Sequence, residues 1–343
     1  MHRSLALAAA LSACSPERTP ACDGAEGCDA AVDASATAWK LGPSLPRRAL
    51  APGVVLFGQR VVLAGGLITA AGEGGAPTTR VDAFDVADEV WRPLPDAPVA
   101  WTDIDLAVIG ATLYIAGGLD SGVARGDAYL LDPIDEQWKP FAGLDPADAR
   151  GAAGVATAPG RIFLIGGVSS TAALATCLEY DVVADRWTHL PDLPAPRAHP
   201  AVMRRSDGAL IVAGGFASFD TSEPRSNVWL LPPPGAEDRS WQQRAPMRPP
   251  GDPDIRSGCA YGVVLGELVC AGGQAGGAAR NAVDSYDPYL DRWTVREPMP
   301  VERTGTQGAA FGARLFVPGG AGPAALEPTD TLYIYSPLDA APR

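Results

Sequence analysis

Five arginines recur at an almost constant distance before a pair of adjacent glycines. Their type and regular spacing indicate a candidate ligand-binding site. Each lies 16 or 17 positions before its glycine pair, and Trp101 takes the matching place in another copy. A guanidinium group can bind a carboxylate through two parallel hydrogen bonds, so a repeated arginine is a candidate site for an acidic ligand. The candidates are Arg48, Arg150, Arg197, Arg256 and Arg303.

Few other side chains are candidates for catalysis or metal binding. The histidines are His2, His189 and His199, which is too few for a site that needs several imidazoles. His199 follows Arg197 closely, and two roles stay open for it: acid–base work or a plain hydrogen bond. Four aspartates precede a tryptophan by six residues, and because no copy collects the carboxylates of a calcium shell, we predict Asx turns there. They are Asp85, Asp132, Asp181 and Asp287. We predict no metal site and no cofactor.

The composition limits the fold and the class of partner. Gly (39) and Pro (33) together make up about a fifth of the 343 residues, which favours many short strands separated by turns over a helical protein. The formal net charge of -13 argues against a nucleic-acid partner, because binding to phosphates needs clustered cations.

Glycine pairs and tryptophans repeat in phase through the chain. Six glycine pairs follow apolar runs, at intervals of 47 to 58 residues, and begin at positions 65, 117, 166, 214, 272 and 319. Tryptophans recur with the same phase at Trp39, Trp91, Trp138, Trp187, Trp241 and Trp293. Six copies of about 50 residues, each with four short strands, match the period of propeller blades. We number blades 1 to 6 after their glycine pairs.

These motifs resemble those of Kelch-repeat β-propellers. The resemblance rests on the glycine pairs, on aromatic–Asp pairs such as Tyr180-Asp181 and Tyr286-Asp287, and on the tryptophan six residues after each Asp. Blade 4 departs from the pattern, with Leu230-Leu231 in place of the aromatic–Asp pair. The fold class that this implies is all-β, a six-bladed Kelch-type β-propeller over residues 38–338.

The resemblance also implies a position for the repeated arginines. In Kelch propellers the corresponding arginine lies toward the mouth of the central channel, and in some members it binds acidic ligands. A ring formed by the five arginines, Trp101 and His199 at the channel mouth is therefore the expected ligand site. The alternative is a structural arginine that ties adjacent blades together, as is also common in the repeat.

The ends of the chain predict how the ring closes. Blade 6 ends at Tyr335-Ser336 without a tryptophan, whereas Trp39-Lys40-Leu41 at the other end has no partner strand in sequence. Propellers of this kind close by adding such a terminal strand to the last blade, which removes exposed sheet edges. We predict that residues 38–42 pair beside residues 331–335.

The N-terminal sequence predicts a targeting signal. A basic start and a ten-residue apolar run predict a signal peptide over residues 1–13, and Leu11-Ser12-Ala13-Cys14 resembles the bacterial lipobox, which implies lipidation at Cys14. Residues 14–37 have no hydrophobic period and predict a flexible tether, in which Cys22 and Cys28 form a candidate disulfide. The expected location is the cell envelope, at the outer membrane or facing the periplasm.

Three cysteines fall inside predicted strands. With Gly266-Glu267 taken as the turn of blade 5, Cys270 faces Val263. Cys259 and Cys270 are then expected to lie too far apart for a disulfide, and we predict that they are small core residues, as is Cys177.

The sequence leaves a choice between classes of function. The favoured function is a lipid-anchored, monomeric module that binds a protein, peptide or glycan. The alternatives are a sugar-isomerising enzyme similar to the sialic acid mutarotases, which are exported six-bladed Kelch proteins, and a purely structural envelope protein.

Overall fold

Four-stranded antiparallel sheets make up the protein. The computed structural model describes residues 38–68, 75–323 and 327–337, and within these ranges the strands form six such sheets and two short two-stranded ribbons. Each sheet is one blade, because neighbouring sheets pack face to face through apolar clusters, for example from Val62 and Ala64 of blade 1 to Ile115 of blade 2. The predicted six-bladed propeller is confirmed.

The strands are short and follow the chain from the first blade to the last. Blade 1 holds β2 (Gly53–Phe57), β3 (Arg60–Ala64), β6 (Val81–Asp85) and β7 (Val90–Leu94), with the ribbon β4 (Leu67–Ile68) and β5 (Ala76–Pro77). Blade 2 holds β8 (Leu106–Ile109), β9 (Thr112–Asp120), β10 (Val123–Leu131) and β11 (Trp138–Pro140). A short 3-10 helix, Pro146–Asp148, leads to blade 3, with β12 (Gly154–Ala158), β13 (Arg161–Ile165), β14 (Cys177–Asp181) and β15 (Arg186–Leu190).

The remaining blades follow the same order. Blade 4 holds β16 (Ala201–Arg204), β17 (Leu210–Ala213), β18 (Val228–Leu231) and β19 (Gln242–Arg244). Blade 5 holds β20 (Ala260–Val264), β21 (Glu267–Ala271), β24 (Val283–Asp287) and β25 (Arg292–Arg296), with the ribbon β22 (Gln274–Ala275) and β23 (Ala278–Ala279). Blade 6 holds β26 (Ala309–Phe311), β27 (Arg314–Pro318), β28 (Leu332–Tyr335) and the N-terminal β1 (Trp39–Leu41). In the part of the chain that the structure describes, no helix is long and apolar enough to cross a membrane.

The N-terminal strand completes blade 6 as predicted. Trp39 pairs with Tyr335 and Leu41 with Tyr333, in an antiparallel register. The ring of Trp39 lies 5.0 Å from that of Tyr335 and 6.3 Å from that of Tyr333. The closing strand is therefore held by backbone pairing and by an aromatic cluster.

The in-phase tryptophans connect each blade to the one before it. In all six, the indole Nε1–H donates to a backbone carbonyl that follows the fourth strand of the preceding blade, over 2.9 to 3.1 Å. Trp39 donates to Glu297 in this way, and Trp187 to Ala142. The indole thus packs between neighbouring sheets, and its one donor binds a carbonyl of the preceding blade.

The predicted Asx turns are also confirmed. The Asp181 carboxylate accepts hydrogen bonds from the backbone N–H groups of Val183 and Ala184, and Asp85 and Asp287 cap their own turns in the same way. Asp132 accepts the N–H of Ile134. These hydrogen bonds lower the pKa of Asp181, together with the Arg161 guanidinium that lies against it.

The glycine pairs lie where neighbouring backbones meet. A Cβ atom at Gly166 would approach the carbonyl oxygen of Arg197 in blade 4 to 2.3 Å, and the next residue, Gly167, donates its N–H to that same oxygen over 2.8 Å. Both glycines have positive φ angles, of 63° and 101°. A side chain here would push the blades apart, so glycine is required.

The expectation for the blade 5 cysteines was wrong, because Cys259 and Cys270 form a disulfide with a Cα–Cα distance of 5.5 Å. The turn lies at Leu265-Gly266, so that Val264 faces Glu267 and Cys270 faces Tyr261. Cys259 is then diagonal to Cys270 across the two strands, within the range that a disulfide spans. Cys177 is a free, buried thiol, and burial raises its pKa to about 12.

Candidate functional site

Six residues at equivalent positions surround the channel, and in blades 2 to 6 each lies two residues after Trp101 or the repeated arginine. All have positive φ angles, between 47° and 65°: Ala51, Asp103, Ala152, His199, Gly258 and Gly305. The N–H of Ala51 donates to Gly305, that of Asp103 to Ala51, that of Ala152 to Asp103 and that of His199 to Ala152, over 2.8 to 2.9 Å. We call these six residues the central ring. Its backbone is continuously hydrogen-bonded from blade 6 through blades 1, 2 and 3 to blade 4.

Asp103 and His199 are the two members of the central ring with polar side chains. Their side chains are 18% and 31% exposed, and His199 Nδ1 lies 3.9 Å from Asp103 Oδ1. Non-glycine residues at positive φ are uncommon, and Asp and His belong to the types that tolerate it best. Since the backbone hydrogen bonds hold both residues, the ring presents a carboxylate and an imidazole side by side at fixed positions.

A cavity of about 120 Å³ opens at this ring and is lined by residues of all six blades. Blades 4 to 6 supply its hydroxyl and amide groups. Thr304 Oγ1 donates to Gln274 Oε1 over 3.3 Å, and Gln274 Nε2 donates to Thr221 Oγ1 over 2.6 Å. Phe216 supplies an apolar wall and lies edge-on to the His199 imidazole, with ring centres 6.2 Å apart.

Tyr261 crosses the channel at the deep end of this cavity. It belongs to blade 5, yet its Oη accepts the N–H of Val155 in blade 3 over 3.2 Å, and burial raises its pKa to about 12. Gln307 accepts the N–H of Val54 in a similar way. The first strand of each blade is an inner sheet edge, so these side chains satisfy backbone donors that would otherwise face the channel.

A buried carboxyl group lies behind the wall of the cavity. Asp105 is fully buried and accepts the N–H of Ala153, a lining residue, over 2.9 Å, whereas its Oδ2 has no hydrogen-bond partner. Burial raises the pKa of Asp105 well above its usual value, and the Asp103 carboxylate raises it further. Burial thus disfavours the charged form of this carboxyl relative to an exposed aspartate.

The repeated arginines do not lie at the channel mouth. Arg150 and Arg256 are fully buried within their blades, where their guanidinium groups donate to backbone carbonyls at the ends of the second and third strands. For Arg150 these are Gly166 and Thr176, both at less than 3 Å. Each of these two guanidinium groups thus ties strands of its own blade. The backbone carbonyls of Arg150, Arg197 and Arg303 also accept an N–H group from the preceding blade, as that of Arg197 does from Gly167.

Arg48 was assigned to the wrong position. Leu50 pairs with Leu67 as Gly151 pairs with Val168, so the residue equivalent to Arg150 is Ala49, and Arg48 is exposed. Arg47 reaches the corresponding carbonyls from two residues earlier: it donates to Gly65 over 3.0 Å and to Arg80 over 3.3 Å, and it pairs with Asp82 at 2.7 Å. The sequence comparison accepted an arginine at either 16 or 17 residues before the glycine pair, and this difference of one residue concealed the shift.

Arg197, Arg303 and Trp101 are buried as well. Arg197 lies 4.2 Å from the ring centre of Trp229, and Arg303 donates to the hydroxyls of Thr329 and Thr331. Trp101 occupies the arginine position of blade 2, as expected, and packs in the core between blades 1 and 2. His199 is the one member of the predicted set that lines the cavity.

Sequence reasoning missed Asp103, Thr221, Gln274 and Tyr261. Asp103 had a usable signal, because it lies two residues after Trp101 as His199 lies two after Arg197. The other three lie in cross-channel or loop contacts that no local spacing reveals. Cys14, Cys22 and Cys28 lie outside the described residues, and among those described no group of three or more His, Cys, Asp or Glu side chains could hold a metal ion.

The comparisons with known proteins agree with this architecture. The Kelch motif matches residues 149–194 and 255–300, which contain blades 3 and 5. The chain is 25% identical to Kelch-like protein terF of Aspergillus terreus over 77% of its length and 59% of the relative. It is 26% identical to human Kelch-like protein 34 over 66% of its length and 36% of the relative. It thus spans between about a third and three fifths of these relatives.

A solved structure of YjhT has the same fold. It superposes with a TM-score of 0.72 at 16% sequence identity and covers 87% of this chain and 98% of its own. At this identity the likeness concerns the fold alone. Together with the in-phase glycine pairs, the inter-blade tryptophans and the Asx turns, the matches show that the chain is a six-bladed β-propeller with Kelch motifs in blades 3 and 5.

Proposed function

We propose that this protein is a monomeric binding module, which holds a protein, peptide or glycan ligand at the channel mouth and performs no chemistry on it. The observation that carries the proposal is the cavity at the central ring, because residues of all six blades line it. Kelch propellers commonly mediate protein binding, and the matched relatives carry such repeats. A pocket with several convergent polar groups is the usual place for recognition.

The surroundings of the mouth support recognition by loops on a rigid base. Residues 216–226 form a long connection in blade 4, and Thr221 in this segment lines the cavity. The hairpin of β9 and β10 replaces a loop in blade 2, and Ala124 near its tip donates its N–H to Ser170 of blade 3. Variable loops on a fixed scaffold are where binding surfaces usually lie.

The sugar-isomerase alternative loses its main support. An anionic sugar was expected to bind to a ring of guanidinium groups, and Arg150, Arg197, Arg256 and Arg303 are buried inside the blades, where each donates hydrogen bonds to protein acceptors. The purely structural alternative stays open to experiment, since it predicts that changes at the mouth have no effect on binding.

We also propose that the propeller is exported and held at the envelope by a lipid on Cys14. The Cys259–Cys270 disulfide supports export, because disulfides persist in oxidising compartments and are rare in the cytosol. Cys14→Ser is expected to move the protein from the membrane fraction to the soluble fraction, while Cys28→Ser keeps it at the membrane. Equal distribution of Cys14→Ser and the unaltered chain would contradict the anchor.

A double variant of the mouth tests the binding function. His199→Ala with Thr221→Ala removes two lining side chains, and the backbone tolerates alanine at the first position because Ala51 and Ala152 occupy the equivalent places. We expect at least a tenfold loss of partner captured from an envelope extract by the immobilised protein. The control is Val183→Ala with Tyr289→Ala, in exposed turns between third and fourth strands, away from the mouth. Equal capture by both variants would contradict the proposed site.

A further inference from the structure

Among the residues that the structure describes, those lining the cavity at the central ring include one carboxylate and no arginine or lysine. Among the lining residues, Asp103 and His199 are the titratable groups besides the deep Tyr261. The Asp103 carboxylate is partly exposed, and the His199 imidazole lies 3.9 Å from it, beyond hydrogen-bond distance. The carboxylate is therefore available to a ligand, and in the part of the chain that the structure describes no arginine or lysine forms an ion pair with it.

A second carboxylate, that of Asp220, lies beside the cavity. Asp220 adjoins the lining residue Thr221, and the hydroxyls of Ser218 and Ser222 lower its pKa to about 2. Its charge is thus stabilised by neutral donors. The formal net charge of the whole chain is -13, so the long-range field also attracts cations toward the protein.

The size of the cavity selects the kind of group that fits. Its volume is about 120 Å³. Pockets for drug-sized ligands measure roughly 300–1,000 Å³, so a disaccharide or a peptide segment cannot be enclosed here. The end of one long side chain can be enclosed in a cavity of this size.

The lining matches a cation on an aliphatic stem. Gln274 Oε1 and Thr221 Oγ1 each accept one hydrogen bond from a neighbour, and each oxygen keeps a second lone pair for a ligand donor. Phe216 offers an apolar face for a methylene stem. A guanidinium or ammonium group would thus meet one carboxylate and two neutral acceptors, whereas the negative charge of Asp103 would repel an anion.

We propose that the cavity at the central ring binds the guanidinium or ammonium end of a basic side chain that a protein partner presents. The inference rests on the proposed function and narrows it: the partner is a protein, and one of its arginine or lysine residues is the anchor. An acidic ligand, which the repeated arginines suggested, is the opposite of what this cavity would select.

Asp103→Asn removes the charge with little effect on the fold. Asparagine is among the residues that adopt positive φ most readily, so it fits the 50° of this position. The contacts of Asp103 to its neighbours Ala51 and Ala152 run through the backbone and are kept. Asp88→Asn is a matched control, since this exposed carboxylate lies in a blade 1 turn away from the mouth.

The test uses n-butylguanidinium and its uncharged isostere n-butylurea, each titrated into the full chain. The imidazole NMR signals report binding, because the chain has three histidines and His199 lines the cavity. We expect saturable shifts of the His199 signals with n-butylguanidinium, at least tenfold weaker binding of n-butylurea, a tenfold loss of n-butylguanidinium affinity in Asp103→Asn and no change in Asp88→Asn. Equal binding of the two probes, or no shift of His199, would overturn the inference.

A second pair of probes separates a partner's side chain from a free small cation. One is a capped pentapeptide of glycine and serine around a single arginine, and the other carries citrulline, the neutral isostere, in its place. Binding of the arginine peptide at least as tight as that of n-butylguanidinium supports a protein partner; if the peptide fails while n-butylguanidinium binds, the occupant is a free cation and the proposal is wrong. If neither binds but the double variant of the mouth still loses its partner, the inference fails while the binding function stands.

Discussion

Trp39→Ala is expected to lower the free energy of unfolding by about 3–5 kcal/mol, the range for removing a buried large aromatic side chain. The side chain is buried in blade 6, its Nε1 donates to the carbonyl of Glu297 in blade 5 over 3.1 Å, and its ring lies against Tyr335. Its loss weakens the closing strand and the contact to the neighbouring blade together. For a chain of this size the expected drop in melting temperature is about 6–10 °C.

Lys40→Ala is the matched control, because it lies in the same strand with an exposed side chain. Its ion pair with Glu89 is exposed at both ends, so we expect a change below about 1 kcal/mol. Both variants are compared by calorimetry and by size-exclusion chromatography. We also expect Trp39→Ala to form oligomers as it is heated, since release of β1 uncovers the edge of β28. A melting temperature within 2 °C of the unaltered protein would contradict closure by this strand.

The repeat made the fold predictable because its signals reinforce one another. One glycine pair or one tryptophan carries little information, but six in-phase copies fix the number of sheets and the approximate extent of each one. The closing strand followed from the same count, since Trp39 had the phase of a fourth strand and blade 6 lacked one. Physically, each tryptophan must fill the same space between sheets and reach the same carbonyl, so its spacing varies little.

The site was less predictable because it depends on features that the repeat does not encode. A shift of one residue placed the turn of blade 5 at Gly266-Glu267 and concealed the disulfide, because an error of one in a turn moves the cross-strand partner by two. Similarly, the arginine spacing is regular for a structural reason, the binding of strand-end carbonyls. The side chains that line the cavity, such as Tyr261, meet across the channel from different blades, and their pairing is not visible in one sequence.

Replacing Arg256 tests whether a repeated arginine is structural. Its guanidinium pairs with Asp284 at 2.7 Å, where both side chains are fully buried, and donates to the carbonyls of Gly272 and Ala282. Arg256→Met would leave the Asp284 carboxylate with Arg248 as its remaining cation, and the carbonyls without this donor. Removal of one partner of a buried ion pair costs about 3–5 kcal/mol, so we expect a loss of that size in the free energy of unfolding.

Two further variants sharpen this test. Arg256→Lys should fail to restore stability, because a single ammonium group cannot reach the carboxylate and the carbonyls on either side of it at once. Arg292→Met, on the exposed outer strand of the same blade, should change stability by less than about 0.5 kcal/mol. Chemical denaturation measures all three. If Arg256→Met were as stable as the unaltered protein but no longer bound the captured partner, the arginine would have to reach the ligand. The burial of its guanidinium among protein acceptors predicts the reverse: a less stable propeller whose remaining folded fraction still binds at the mouth.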